Sequence, residues 1–195
     1  MLTFDQVYMG DSGGEPRRVS SPELFAESFS AAVDYLGVKV PYVDRERIGV
    51  IGICGSGGSA LSAAFVDTRI KAVATTAMYD ITGGRIMFGL PAEVIEQQKN
   101  RLSRQRRTDF ENGYQSYTPS FPETPYPNVD ALPEKDPISN EWDGFYAVPR
   151  GHHPNAGGSF TDTSMLAMMQ FSALRYISEI SPRPILFITG DKAHS

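Results

Sequence analysis

The stretch Ile48-Gly49-Val50-Ile51-Gly52-Ile53-Cys54-Gly55-Ser56-Gly57-Gly58 constrains the fold more than any other part of the chain. Ile48, Val50, Ile51 and Ile53 are interrupted only by Gly49 and Gly52, so the run suits a strand buried on both faces of a parallel sheet. It stops in a glycine turn. Ser59 to Phe65 then reads as a helix whose Ala60, Ala63 and Ala64 permit close approach to a sheet, and Ile70 to Ala77 reads as the next strand. Strand, helix and strand in that order make a βαβ unit, which places the chain in the α/β class with a parallel sheet flanked by helices.

The flanking segments extend this pattern. Leu2 to Val7 reads as a strand, followed by the loop Gly10-Asp11-Ser12-Gly13-Gly14-Glu15-Pro16. Ser21 is an N-cap with Pro22 at the first helical position; Phe25, Phe29, Ala32, Val33 and Leu36 recur at helical spacing, and Gly37 ends the helix. Pro91 to Glu111 is a polar helix, after which Pro119, Pro122, Pro125, Pro127, Pro133 and Pro137 argue against regular structure. Too little apolar periodicity remains between residues 82 and 154 for a separate core, so this segment reads as a cap inserted into one domain spanning residues 1–195. Leu166, Met169, Ala173, Ile177 and Ile180 mark one face of a later helix, and Pro184 to Thr189 a last strand ending at Gly190-Asp191.

Composition narrows the function classes. With 195 residues the chain matches about one domain at ~150 residues each. Hydrophobic residues at 41% and charged residues at 21% exclude general disorder. Eighteen Lys and Arg against 23 Asp and Glu give a net charge of −5, so neither nucleic acid nor an anionic membrane is expected as a partner. No window reaches the ~18 apolar residues of a membrane span, and the start has no basic region followed by an apolar stretch, which predicts a cytoplasmic protein. One cysteine, Cys54, excludes an intrachain disulfide and fits a reducing compartment.

Cys54 falls where a buried strand turns sharply into a small-residue helix. Gly52-Ile53-Cys54-Gly55-Ser56 follows the small-x-nucleophile-x-small pattern of a nucleophile elbow, in which small neighbours are needed because the turn is strained. A nucleophile there meets the positive end of a helix, and the Gly55 amide points toward a developing oxyanion. Two other readings are open: a small buried cysteine after a core strand, and a dinucleotide loop. The latter rests on Gly55-Ser56-Gly57-Gly58-Ser59-Ala60 matching G-x-G-x-x-A, with Asp80 after the following strand as the ribose-binding acid. Against the dinucleotide reading, a strand and a helix precede this unit and no second nucleotide half follows. His152 and His153 are adjacent, their side chains diverge, and no metal site is predicted. Lys99, Arg101, Arg104, Arg106 and Arg107 read as a solvated helix face or as a lid that recognises an anionic substrate, and Met165, Leu166, Met168, Met169 and Phe171 as core or an acyl pocket.

Read together, Arg47 to Gly58, Asp67-Thr68-Arg69-Ile70-Lys71-Ala72-Val73-Ala74, Met78-Tyr79-Asp80-Ile81, Tyr8 to Pro16 and Ser181 to Ser195 resemble the α/β-hydrolase superfamily. The likeness is strongest to dienelactone-hydrolase-like members with a cysteine or serine elbow, including fungal polyketide-transferase relatives. The resemblance implies acyl transfer from an ester, lactone or thioester with a small-molecule acyl substrate and no organic cofactor, by a hydrolase or an acyl/polyketide transferase. Its order of nucleophile, acid and histidine assigns Cys54, then Asp191 or, second, Asp80. It places the histidine beyond the last strand read here, leaving His194 as a weak stand-in, and it has further strands before Leu2 whose loop supplies a second oxyanion donor. The chain is therefore expected to be truncated at both ends, with incomplete turnover, with self-association through exposed sheet edges, and with a non-catalytic, ligand-binding remnant as the alternative.

Overall fold

The computed structural model describes residues 1–80, 82, 90–156, 158–191 and 193. Among these, β1 (Ile48–Ile53), β2 (Ile70–Thr76) and β3 (Ile185–Ile188) form a parallel three-stranded sheet in the order β1-β2-β3. Val50 lies beside Val73, and Val73 beside Ile185. Because the strands are parallel, the turns that follow all three reach the same sheet edge, where open α/β sheets hold their ligands.

One face of the sheet is covered. α1 (Pro22–Lys39) starts with Pro22 after Ser21 and turns Phe25, Phe29 and Val33 inward. It runs on through Gly37, which a helix tolerates at modest cost. α2 (Ser56–Val66) buries Ala60, Ala63 and Ala64 completely, and these short side chains let it lie close to Ile48, Ile70 and Val73. An ion-paired corner ties the layer together. Asp67, at the C-terminal end of α2, accepts from Arg69 Nε at 2.9 Å and Nη2 at 2.7 Å, while Arg69 also pairs with Asp34 of α1. Those bonds hold the Asp67 carboxyl down at about 2, against an ordinary value of 3.8. Arg183 Nη1 donates to the carbonyls of Asp67 (3.1 Å) and Ile70 (2.9 Å), drawing in the segment before β3.

Among the described residues, the opposite face is open. Pairing sets Ile51, Ala74 and Leu186 in one row and Ile53, Thr76 and Ile188 in the next. Ile51 and Ile53 are both 63% exposed and Leu186 57%. The expectation that this strand is buried on both faces therefore fails among the described residues: an unbroken apolar run shows that both faces are apolar, not what lies against them.

Three further expectations are corrected. Leu2 to Val7 forms no strand, having no neighbouring strand to pair with among the described residues. The later helix divides into α5 (Ser164–Gln170) and a 3-10 turn at Ile177–Ile180, because Phe171 adopts extended backbone after Gln170. The proline-rich stretch contains α4 (Pro137–Tyr146), whose proline sits in the first turn, where a missing N–H costs nothing. α3 (Ala92–Asn112), the polar helix, is closed by Gly113 at φ 75°. α4 precedes α5 (Ser164–Gln170), and no described helix is long and apolar enough to cross a membrane.

Candidate active site

The turn between β1 and α2 is held in a conformation that its glycines make possible. Cys54 has φ 56°, in the left-handed region that a residue with a Cβ seldom occupies. Its N–H donates to Thr76 O at 3.0 Å, and its carbonyl accepts from Gly57 N at 3.0 Å and from Tyr79 N at 3.2 Å. Three hydrogen bonds thus fix the backbone on both sides of the strained residue. Gly52 allows α2 to fold back so tightly: a Cβ there would lie 2.6 Å from both Gly57 Cα and Ser56 O. Cys54 is half-buried and unpaired with any other cysteine, and Gly55 is the N-cap of α2.

Cys54 and Gly55 open onto a cavity of about 850 Å³. Tyr79 lies beside them, and the loop residues Tyr8, Met9, Gly10, Arg17 and Arg18 form one wall. Tyr117, Phe121, Trp142 and Tyr146 come from the long segment between β2 and β3. The ring centroids of Trp142 and Tyr146 are 5.1 Å apart and those of Phe121 and Tyr146 5.4 Å, so the aromatic wall is itself packed. The loop is joined to the segment between β2 and β3: Tyr117 Oη donates to Arg17 O at 3.2 Å, Thr161 N to Arg18 O at 3.0 Å, and Asn155 Nδ2 to Asp11 Oδ1 at 2.9 Å.

The two arginines of the wall differ. Arg17 is consumed by the loop, donating from Nη2 to Gly10 O at 2.6 Å and from Nη1 to the carbonyls of Ser12 and Gly14. Arg18 is half-buried at φ 60°, and among the described residues its guanidinium has no hydrogen-bond or carboxylate partner.

Of the residues singled out from the sequence, Cys54 and Gly55 are brought together in this cavity. Asp80 is not on its wall: its Oδ1 accepts from Thr82 N at 2.9 Å and Thr82 Oγ1 at 2.5 Å, and Thr82 Oγ1 accepts from Ala173 N at 3.1 Å. Asp191 is exposed in the turn after β3 and is not among the residues that line the cavity, and His194 lies outside the described residues. His152 Nε2 meets Pro122 O at 3.1 Å, whereas His153 Nδ1 accepts from Asn155 N at 3.1 Å, so the adjacent rings serve different partners. In the basic cluster, Lys99 pairs with Glu96 at 2.6 Å and Arg101 approaches Asp162 at 3.7 Å; no member of it lines the cavity. From the methionine-rich stretch only Met168 does so.

The aromatic wall and the arginine pair escaped sequence reading. Trp142 and Tyr146, four residues apart, carry a helical signal, but the surrounding prolines masked it. Arg17-Arg18 sits in a loop without periodicity and offered none.

No family model matches the chain. The uncharacterized protein PA2218 of Pseudomonas aeruginosa is 46% identical over 202 aligned residues, covering all of this chain and 52% of that protein. Its crystal structure superposes with a TM-score of 0.84 at 42% identity, over 96% of this chain and 58% of that one. The α/β hydrolase GrgF from a Penicillium species superposes with a TM-score of 0.71 at 23% identity, over 96% of this chain and 60% of that one. The chain has the α/β-hydrolase fold. Similar in sequence to this α/β-hydrolase-fold chain are the uncharacterized protein YcjY of Escherichia coli, 30% identical over all of this chain and 62% of that protein, and the thiohydrolase aneE of Aspergillus aculeatus. The latter is 37% identical over 73 residues, which are 37% of this chain and 23% of that protein. The chain thus spans 52% of the length of PA2218 and 62% of that of YcjY.

Proposed function

We propose that this chain holds the nucleophile of an acyl-transfer enzyme acting on an ester, lactone or thioester. Cys54 Sγ attacks the carbonyl carbon, a C–S bond forms, and the carbonyl electron pair moves onto oxygen, where the Gly55 N–H at the start of α2 donates to it. Collapse of that intermediate breaks the bond to the alcohol or thiol, which leaves with its electron pair and takes up the proton that Cys54 Sγ gave up on attack, and the acyl group remains on Cys54 as a thioester. Water as the second acceptor makes a hydrolase, another nucleophile a transferase. Asp191 is proposed as the acid, with Asp80, whose Oδ1 also serves the turn that anchors Thr82 to Ala173, as the second candidate and His194 as a weak stand-in for the base. The observation that carries this reading is the left-handed Cys54, fixed by three backbone hydrogen bonds and opening on an aromatic cavity of about 850 Å³. The thiohydrolase name of one relative fits a thioester, and the quoted segments fit a dienelactone-hydrolase-like or polyketide-transferase-like member.

The test is intact mass after brief exposure to 4-nitrophenyl butyrate, comparing native chain, denatured chain and Cys54→Ala. Native-only acylation at Cys54 is expected. Labelling no faster than in the denatured chain, or labelling that persists in Cys54→Ala, refutes the proposal.

A second reading, a binding protein without turnover, is favoured by one observation: among the described residues no histidine, aspartate or glutamate lines the cavity. It predicts an acyl adduct on Cys54 that forms and then stays.

A further inference from the structure

The charge on the cavity wall runs against that of the chain. The sequence carries a net charge of −5, yet among the described residues the lining holds two arginines and no acidic side chain. Arg17 is spent on the carbonyls of Ser12, Gly10 and Gly14, and its role is to shape the loop. Arg18 is not spent. Its backbone is fixed from both sides, with Arg18 N donating to Tyr8 O at 2.9 Å and Arg18 O accepting from Thr161 N at 3.0 Å. Three acids on the segments that meet it are engaged elsewhere, Asp5 accepting from the Asp11 N–H at 2.9 Å, Asp11 from Asn155 at 2.9 Å, and Asp162 facing Arg101 at 3.7 Å, while Glu15, exposed on the same loop, forms no ion pair with Arg18. Half-buried and with no side-chain partner among the described residues, on a backbone tied at both ends, Arg18 has five guanidinium N–H donors to offer whatever fills the cavity.

We infer that Arg18 is a specificity-determining residue, which binds an anionic oxygen group, carboxylate or phosphate, on the substrate whose carbonyl meets Cys54. This rests on the proposed acyl transfer. It assigns the substrate a division of labour: an apolar body against Trp142, Tyr146 and Phe121, and an anionic end on Arg18. A planar guanidinium takes either oxyanion by paired hydrogen bonds, and such charge-assisted contacts discriminate by about tenfold or more against a neutral analogue.

The experiment follows acylation of Cys54 by intact mass in the full chain with two probe pairs. Mono-4-nitrophenyl glutarate and its neutral methyl ester place the charge on the acyl side. Acetyl-coenzyme A and acetyl-pantetheine place it on the thiol side. In each reaction the Cys54 C–S bond forms, the bond to phenolate or thiolate breaks, and the thiol proton passes to buffer. The expected result is a tenfold or greater preference for the charged member of one pair, abolished in Arg18→Gln and partly kept in Arg18→Lys. Which pair shows it identifies the source of the anion. Circular dichroism of both variants confirms that the fold survives. Equal rates within both pairs, or a preference that Arg18→Gln leaves intact, overturns the assignment while acyl transfer stands. No native-specific labelling of Cys54 by any probe, 4-nitrophenyl butyrate included, removes acyl transfer and this assignment with it.

Discussion

Replacing Cys54 by glycine should make the protein more stable than replacing it by alanine. Both changes remove the sulfur, so the comparison isolates the Cβ. At φ 56° a Cβ crowds the following carbonyl, at a cost of about 1–2 kcal/mol. Glycine escapes that cost but loses about 0.5–1 kcal/mol more chain entropy on folding. The difference leaves Cys54→Gly ahead of Cys54→Ala by about 0.5–1 kcal/mol, read from urea unfolding midpoints at equal m-values. Glu27, exposed within α1, supplies the control: there Glu27→Gly should be about 1 kcal/mol less stable than Glu27→Ala, the ordinary helix result. A change of sign between the two positions is the prediction. If glycine is the worse residue at both positions, by similar amounts, the elbow backbone is not held left-handed in solution, and the argument that strain presents this thiol to the cavity collapses.

Gly52→Ala places a Cβ 2.6 Å from the backbone of Gly57 and Ser56; it should destabilise by about 1–3 kcal/mol and slow native labelling of Cys54, both measurable on one purified variant. The Asp67 carboxyl, held at about 2 by Arg69, contributes stability that is present above pH ~4 and lost as pH falls toward 2. Arg69 is half exposed, so that contribution is about 1 kcal/mol, and Asp67→Asn should flatten the acid limb of the stability profile between pH 4 and 2. Self-association is proposed through the exposed sheet edges, β1 and β3 among the described residues: Ile51→Lys on β1 with Leu186→Lys on β3 should shift the chain toward monomer in size-exclusion chromatography, and an unchanged elution volume counts against it.

The local part of the site was legible because its causes are local. An apolar run, Gly52, Cys54 and an alanine-rich helix lie within 19 consecutive residues, and the strand, the tight turn and the close helix follow from their own sterics. The cavity opposite Cys54 was not legible. Its wall joins Arg17 to Tyr117, a separation of 100 residues, and Asn155 to Asp11 over 144, contacts that leave no periodic trace in the chain. The basic helix illustrates the difference: its five cations suggested an anion site by count, yet they are exposed, while two arginines in a loop without periodicity line the cavity, one of them, Arg18, with no side-chain partner among the described residues.

By itself, then, the sequence determined an α/β chain with a cysteine at the strand-to-helix turn, because backbone sterics and side-chain period act over a few residues. Only the tertiary structure decided which residues confront that cysteine and which face of the sheet is covered, because both depend on segments far apart in the chain being brought into contact.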